Sequence, residues 1–217
     1  MKIVLKFCLF FATILAISSC GDNEGVKAKD KEVTSKASDI TPIETLFSDE
    51  AFENPKMKDL LKELNLCSEK TSDTTDYDHP SCSPKFFKFF AMNKQIPLEN
   101  SFLLQIKSKV SGFPLRRLLV FVRERGQLVK ANGFVANLIG TRKSSTGYDD
   151  LLLRFNGREE DEPIFYNCYF SWNGAKYEFA SVEVIQGDNW GGPVKEAFKD
   201  SMKVEIKKVL SQQNMFF

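Results

Sequence analysis

From residue 101 onward, apolar and polar positions fall into a period of two. Phe102, Leu104 and Ile106 alternate with Gln105, Lys107 and Lys109, the pattern of a half-buried strand. Leu118 to Val122 is a continuous apolar run, and Arg125-Gly126 makes a turn into Leu128-Val129. Phe134 to Ile139 and Leu151 to Phe155 supply further short strands. Ile164, Tyr166, Cys168, Phe170 and Trp172 then alternate strictly as far as Asn173-Gly174 and return through Tyr177 and Phe179. Asn-Gly between alternating aromatics is a strong hairpin signal. With those two as the loop residues, Trp172 faces Ala175, Phe170 faces Tyr177, and Cys168 faces Phe179. Cys168 therefore belongs to the aromatic face as a buried, inert thiol, since a reactive cysteine needs an electropositive, partly exposed setting.

The flanking regions read with helical spacing. Thr41-Pro42-Ile43-Glu44 has the form of a capping box with Pro at the first helical position. Asn54-Pro55 opens a second stripe of Met57, Leu60, Leu61 and Leu64, with lysines and acids outside. Ser83-Pro84 opens a third expected helix, carrying Phe86, Phe87, Phe89 and Phe90. A last helix is expected from Pro193, through Val194, Ala197, Phe198, Met202, Ile206, Val209 and Leu210. The order predicts an α+β fold: N-terminal short helices, an antiparallel meander of about six strands, and a C-terminal amphipathic helix packed on the sheet. Residues 41–217 are expected to form one such domain, and no internal repeat is evident.

The start of the chain is different in kind. Lys2 and Lys6 precede an apolar run from Phe7 to Ile17 broken only by Thr13. That run is too short for a bilayer, which needs about 20 apolar residues, so residues 1–19 read as a signal peptide. The run closes on Ile17-Ser18-Ser19-Cys20. This resembles the lipobox of bacterial lipoproteins, with Ile17 where the family usually has Leu. The resemblance implies that Cys20 is acylated, with palmitate-type chains, and becomes the mature N-terminus. It also implies a bacterial envelope protein held by its anchor, with the outer membrane as the expected place. Residues 20–40 are charged and small, without an aromatic residue, and are expected to be a flexible tether. The stretches Tyr148-Asp149-Asp150-Leu151-Leu152-Leu153 and Phe170-Ser171-Trp172-Asn173-Gly174-Ala175-Lys176-Tyr177 resemble hairpins of exported bacterial proteins of unknown role, a likeness that carries no catalytic residue.

Charge removes several partners. Without residues 1–19 the 30 basic residues lose Lys2 and Lys6, leaving 28 against 29 acidic. Near neutrality gives no electrostatic footprint for nucleic acid. The expected partners are the membrane, through the anchor, and an envelope protein or apolar ligand. In an oxidising compartment Cys67 and Cys82 are the natural disulfide pair, closing a polar loop whose constraint stabilises by about 3 kcal/mol. The alternative is two unpaired buried thiols.

Catalytic chemistry is thinly represented. Asp73, Asp76 and Asp78 group hard oxygen ligands beside His79, the one histidine. The spacing lacks the glycine and distal glutamate of an EF-hand, so a solvated acidic loop without metal is expected. One histidine leaves little for a Ser-His-Asp or Cys-His arrangement. No glycine-rich phosphate loop appears, and no cofactor is implied. Asp149-Asp150 and the run Glu159, Glu160, Asp161, Glu162 are the carboxylates from which glycosidase-type chemistry would draw. The candidate apolar-ligand residues are Phe86, Phe87, Phe89, Phe90 and Trp190, the last in a Gly-rich loop. The expected function is a non-catalytic, membrane-tethered binding or assembly protein. The alternatives are an envelope hydrolase using acidic residues on glycan or peptide, and an inhibitor of a hydrolase. Non-reducing peptide mass spectrometry of the exported protein should recover Cys67 linked to Cys82, while a link through Cys168 would contradict its place on the aromatic face.

Overall fold

The computed structural model describes residues 40–217 except 45, 49, 70–79, 111–112, 160–161 and 188–189; for 108–110, 113–115, 158–159 and 190 it describes the backbone alone. The expected signal peptide, Cys20 and all but the last residue of the tether lie outside the described residues. So do Asp73, Asp76, Asp78 and His79.

The elements are β1 (Ile40–Pro42), α1 (Lys56–Glu63), β2 (Phe87–Ala91), β3 (Ser101–Val110), β4 (Phe113–Glu124) and β5 (Gln127–Phe134). They continue as β6 (Asn137–Arg142), β7 (Asp150–Glu159), β8 (Glu162–Trp172), β9 (Tyr177–Gly187) and β10 (Trp190–Pro193). A short 3-10 turn (Glu196–Phe198) leads into α2 (Lys199–Gln212). The strands form two antiparallel sheets, not the single meander expected: a four-stranded sheet β2-β3-β4-β5 and a six-stranded sheet β1-β6-β7-β8-β9-β10. The reason lies in the stretch expected as one strand, Phe134 to Ile139. Phe134 ends β5 and Asn137 begins β6, so the chain leaves one sheet at Val135-Ala136 and enters the other.

The N-terminal set of short helices is also corrected. The stripe opened by Asn54-Pro55 is α1, but Thr41 and Pro42 pair in β1 with Thr141 and Gly140. Phe87 to Ala91 is strand β2, paired with β3. Four phenylalanines in five residues overfill a helix stripe, yet they suit a strand with apolar layers on both sides. Phe86, Phe87 and Phe89 join the cluster under α1, and Phe90 joins the cluster between the sheets.

Two cores follow. The larger holds Leu103, Leu118, Val120 and Val122 from the four-stranded sheet against Leu151, Leu153, Phe155, Phe170 and Phe179 from the six-stranded one. The smaller gathers Phe102, Leu104, Ile106, Leu119 and Phe121 under Leu60 and Leu61 of α1. β3 and β4 are thus buried on both faces, which explains the unbroken apolar run at Leu118 to Val122. Phe170 is the hub of the larger core, its ring centroid 4.9 Å from Phe134, 5.3 Å from Phe179, 5.8 Å from Phe155 and 6.0 Å from Phe216. Such ring pairs add about 0.5–1.5 kcal/mol each beyond the area they bury.

The hairpin of β8 and β9 keeps its faces but not its register. Asn173 to Lys176 form a four-residue loop, closed by the Asn173 amide donating to the Lys176 carbonyl at 2.9 Å. The Asn173 side-chain oxygen accepts from Ala175 N and Lys176 N. Trp172 therefore faces Tyr177 and Phe170 faces Phe179; two irregularities then set Cys168 opposite Val182. At Trp172 and Phe170 the shift is two residues, which preserves which side chains point inward. Cys168 also sits in the larger core.

The last helix begins later than expected, because Pro193 ends β10 and the Val194 amide donates to Glu183 O. α2 packs on β9 and inserts Ile206 and Leu210 into the larger core. Beyond it, residues 215–217 run beside the end of β5. Val135 N donates to Met215 O, and Gly133 and Phe217 exchange both backbone bonds. The Phe217 ring lies against Gly133, in the space a Cβ would take.

Two buried amides join the sheets. Gln105, on the central strand β3, donates from Nε2 to Arg117 O and Ala136 O at 3.0 Å each and accepts from Leu138 N at 3.0 Å. It thereby satisfies backbone groups on both sides of the β5–β6 crossing. Asn132 of β5 donates to Tyr177 O (3.1 Å) and accepts from Tyr177 N (2.7 Å), fastening the start of β9. A buried backbone group stripped of its partner costs about 1–3 kcal/mol. Gln105→Leu, similar in size but mute, should lower unfolding stability by about 3 kcal/mol in urea titration. A loss below about 1 kcal/mol would show that the crossing does not need the amide.

Candidate functional site

A concavity with an apolar lining lies where β9, β10 and the start of α2 meet. Ile185 forms its floor; Gly191, Gly192, Pro193, Val194, Lys195, Phe198 and Met202 make its walls, enclosing about 280 Å³. Local sequence explains the shape. Gly192 adopts φ +118°, a left-handed conformation glycine reaches without strain, and Pro193 then ends the pairing with β9. The chain leaves the sheet edge there and reaches α2 only at Lys199, so Phe198 falls outside the core-facing stripe. It is left 58% exposed.

The rim is fixed by charge. Lys199 Nζ lies 3.1 Å from Glu183 on β9 and 3.2 Å from Glu196. Burial pulls the Lys199 ammonium down, but these two carboxylates outweigh it and hold it above the usual lysine value. Glu183 also accepts from Ser181 Oγ at 2.7 Å. The helix start is thereby pinned to the sheet, and the groove is a formed feature of the fold. Chemically it offers apolar contact and one exposed ammonium, Lys195, with no carboxylate among its lining residues. It suits an apolar group.

The residues expected to bind an apolar ligand are dispersed. Phe87 is buried, and Phe86, Phe89 and Phe90 are half-buried in the two cores. Phe89 packs on Phe102 at 5.2 Å and on Phe52 at 6.4 Å. Lys88 Nζ between them donates to Leu46 O at 2.7 Å, drawing the segment before α1 over this edge. A small recess of about 80 Å³ remains there, lined by Leu46, Phe52, Met57, Phe87 and Phe89. Trp190 opens strand β10 and is not in a free loop. Of the expected set, therefore, only Trp190 adjoins the groove in sequence. Phe198 was missed because helical spacing assigned it to a buried stripe; Gly191-Gly192-Pro193, which stops helix and strand alike, was the signal for its displacement.

Of the candidate carboxylates, the side chains of Asp149, Asp150 and Glu162 are described. Asp150 is buried, and its Oδ2 accepts from Arg142 Nη2 at 2.8 Å and Nε at 3.2 Å. The same guanidinium lies 4.0 Å from the Tyr169 ring, a stacked and paired arrangement that neutralises the acid. Asp149 is raised above the usual carboxylate range by burial, and its backbone carbonyl accepts from the Tyr177 hydroxyl. The side chains of Glu159, Glu160 and Asp161 lie outside the described residues; Glu162 is exposed. Among the described residues no cluster of three or more His, Cys, Asp or Glu gathers to hold a metal. Cys67 and Cys82 stand at disulfide distance, their Cα atoms 5.0 Å apart. Cys168 is free, and burial, with Glu183 nearby, pushes its thiol well above the usual range.

Comparison with protein-family models, curated proteins and solved structures finds no match. Alkylation of the folded, non-reduced protein should leave Cys168 unlabelled until denaturant is added. Rapid native labelling would mean that the larger core opens at β8.

Proposed function

We propose that the chain is a lipid-anchored protein of the bacterial envelope that binds an apolar element of an envelope partner and performs no chemistry of its own. The anchor is the lipobox-like Ile17-Ser18-Ser19-Cys20, and the folded body is the binding module. The observation that carries the reading is the preformed apolar groove with Phe198 exposed on its wall. A partly exposed aromatic beside a fixed concavity is the composition of an interface hot spot, where a buried anchor supplies most of the affinity. The close approach of Cys67 and Cys82 accords with export to an oxidising compartment. The pairing of Asp150 with Arg142 counts against the hydrolase alternative, because a carboxylate held in an ion pair is poorly placed as a general base.

Intact mass of the protein extracted from membranes should correspond to a chain beginning at an acylated Cys20. A chain retaining residues 1–19, or a soluble chain without acyl mass, would refute the anchor. Phe198→Asp should keep the wild-type unfolding midpoint within about 1 kcal/mol, as surface changes generally do. In photo-crosslinking from a probe at Met202 in native envelopes, it should weaken the partner adduct by about tenfold, the range of a hot-spot residue. Undiminished crosslinking in that variant would refute the groove as the binding face.

A further inference from the structure

A second concavity, away from β10, has the opposite chemistry. Where the chain crosses from β5 to β6, Arg116 of β4, Asn137 of β6, and Arg154 and Asn156 of β7 surround a recess of about 60 Å³ closed by Val135, Ala136 and Met215. Two arginines and two asparagines thus line one small volume, and no carboxylate residue is among its lining.

Neither guanidinium is neutralised by an acid among the described residues. Arg154 Nε donates to the neutral Asn167 Oδ1 at 3.0 Å, leaving its terminal nitrogens uncommitted. Arg116 lies 5.4 Å from the Phe47 ring centroid, and burial lowers its guanidinium below the usual arginine value. Lys107 stands directly opposite Arg116 in the β3–β4 register and lies over the same ring at 5.9 Å. Like charges opposed across a sheet destabilise it unless something negative offsets them. The π-face of Phe47 supplies part of that offset.

Asn137 completes the picture. Its Oδ1 is buried without a hydrogen-bond partner among the described residues. An amide is nearly symmetric in shape, so turning it presents Nδ2 as a donor in the same direction. The recess then offers two guanidiniums and an amide donor, converging on space for one small anion. Forked guanidiniums are the groups that bind phosphate and carboxylate oxygens in bidentate fashion.

We infer that the recess at the β5–β6 crossing is an oxyanion site for a phosphate-type group, held by Arg116 and Arg154 with Asn137 as a third donor. The phosphate can be free inorganic phosphate or the phosphodiester of a membrane headgroup, and the same donors serve both. The site is independent of the apolar groove and of the anchor.

The test is titration calorimetry of the detergent-solubilised full chain with inorganic phosphate and, separately, with glycerophosphocholine as a soluble headgroup, at fixed ionic strength. Saturable binding of either is expected. Tighter phosphate binding identifies a free-anion site, and tighter glycerophosphocholine binding identifies a headgroup site. Arg116→Gln and Arg154→Gln should each weaken binding about tenfold, the share of one charge-assisted contact. Lys176→Gln removes the same charge from the exposed Asn173–Lys176 loop and should leave binding unchanged. No saturable heat with either compound in the wild-type chain overturns the proposal, whatever the variants do. Equal loss in Lys176→Gln overturns it too, since the effect would then be net charge alone.

Discussion

The fold depends on a chain crossing between two sheets at the margin of the larger core. At Val135-Ala136 the backbone leaves the β5 ladder before it joins that of β6, so its polar groups need partners from elsewhere in the chain, as Val135 N finds in Met215 O. Gln105 supplies one: a single side-chain amide from β3 donates twice and accepts once, tying Arg117 O, Ala136 O and Leu138 N together. An apolar residue there would preserve volume and forfeit all three bonds. Asn132 does similar work at the start of β9. Both are polar residues inside strongly apolar surroundings, and both bond to backbone rather than to other side chains.

Once the crossing is fixed, the rest is packing. β3 and β4 become central layers with apolar neighbours on each face, and α1 roofs the smaller core while α2 and residues 215–217 complete the larger. The phenylalanine-rich β2 is consumed in this arrangement, Phe87 and Phe89 toward the smaller core and Phe90 toward the larger. What stays at the surface is then informative. Two of the concavities lie at places where strands stop: an apolar one where Gly192-Pro193 ends β10, and one lined by two arginines where β5 gives way to β6. The two differ in chemistry, since one is lined by apolar residues and the other by arginine and asparagine.

Much of this was legible in the residues. Period-two alternation located the strands from Ser101 onward, and the faces of β8 followed from Ile164 to Trp172 alone. The neighbours did not. Asn173-Gly174 suggested a two-residue loop, whereas the Asn173 side chain capping two amides stabilises a loop of four. Phe86 to Phe90 matched a helix start at Ser83-Pro84, because a strand buried on both faces and a crowded helix look alike over five residues. Division into two sheets was hidden, since the turn at Val135-Ala136 carries neither glycine nor proline; the buried Gln105, 31 residues before Ala136, and Met215 near the other end of the domain compensate for it. The sites were less legible still. The groove depends on where α2 fails to begin, and the cationic recess draws on strands distant in sequence.

Native-state hydrogen exchange at the Leu138 amide probes the crossing most directly. That amide donates to Gln105 Oε1 at 3.0 Å. It should exchange only with global unfolding, as slowly as amides in the middle of β8. Exchange as fast as that of the exposed Asn173–Lys176 loop would contradict the account, because the two sheets would then be joined without the bond on which everything else has been argued to rest.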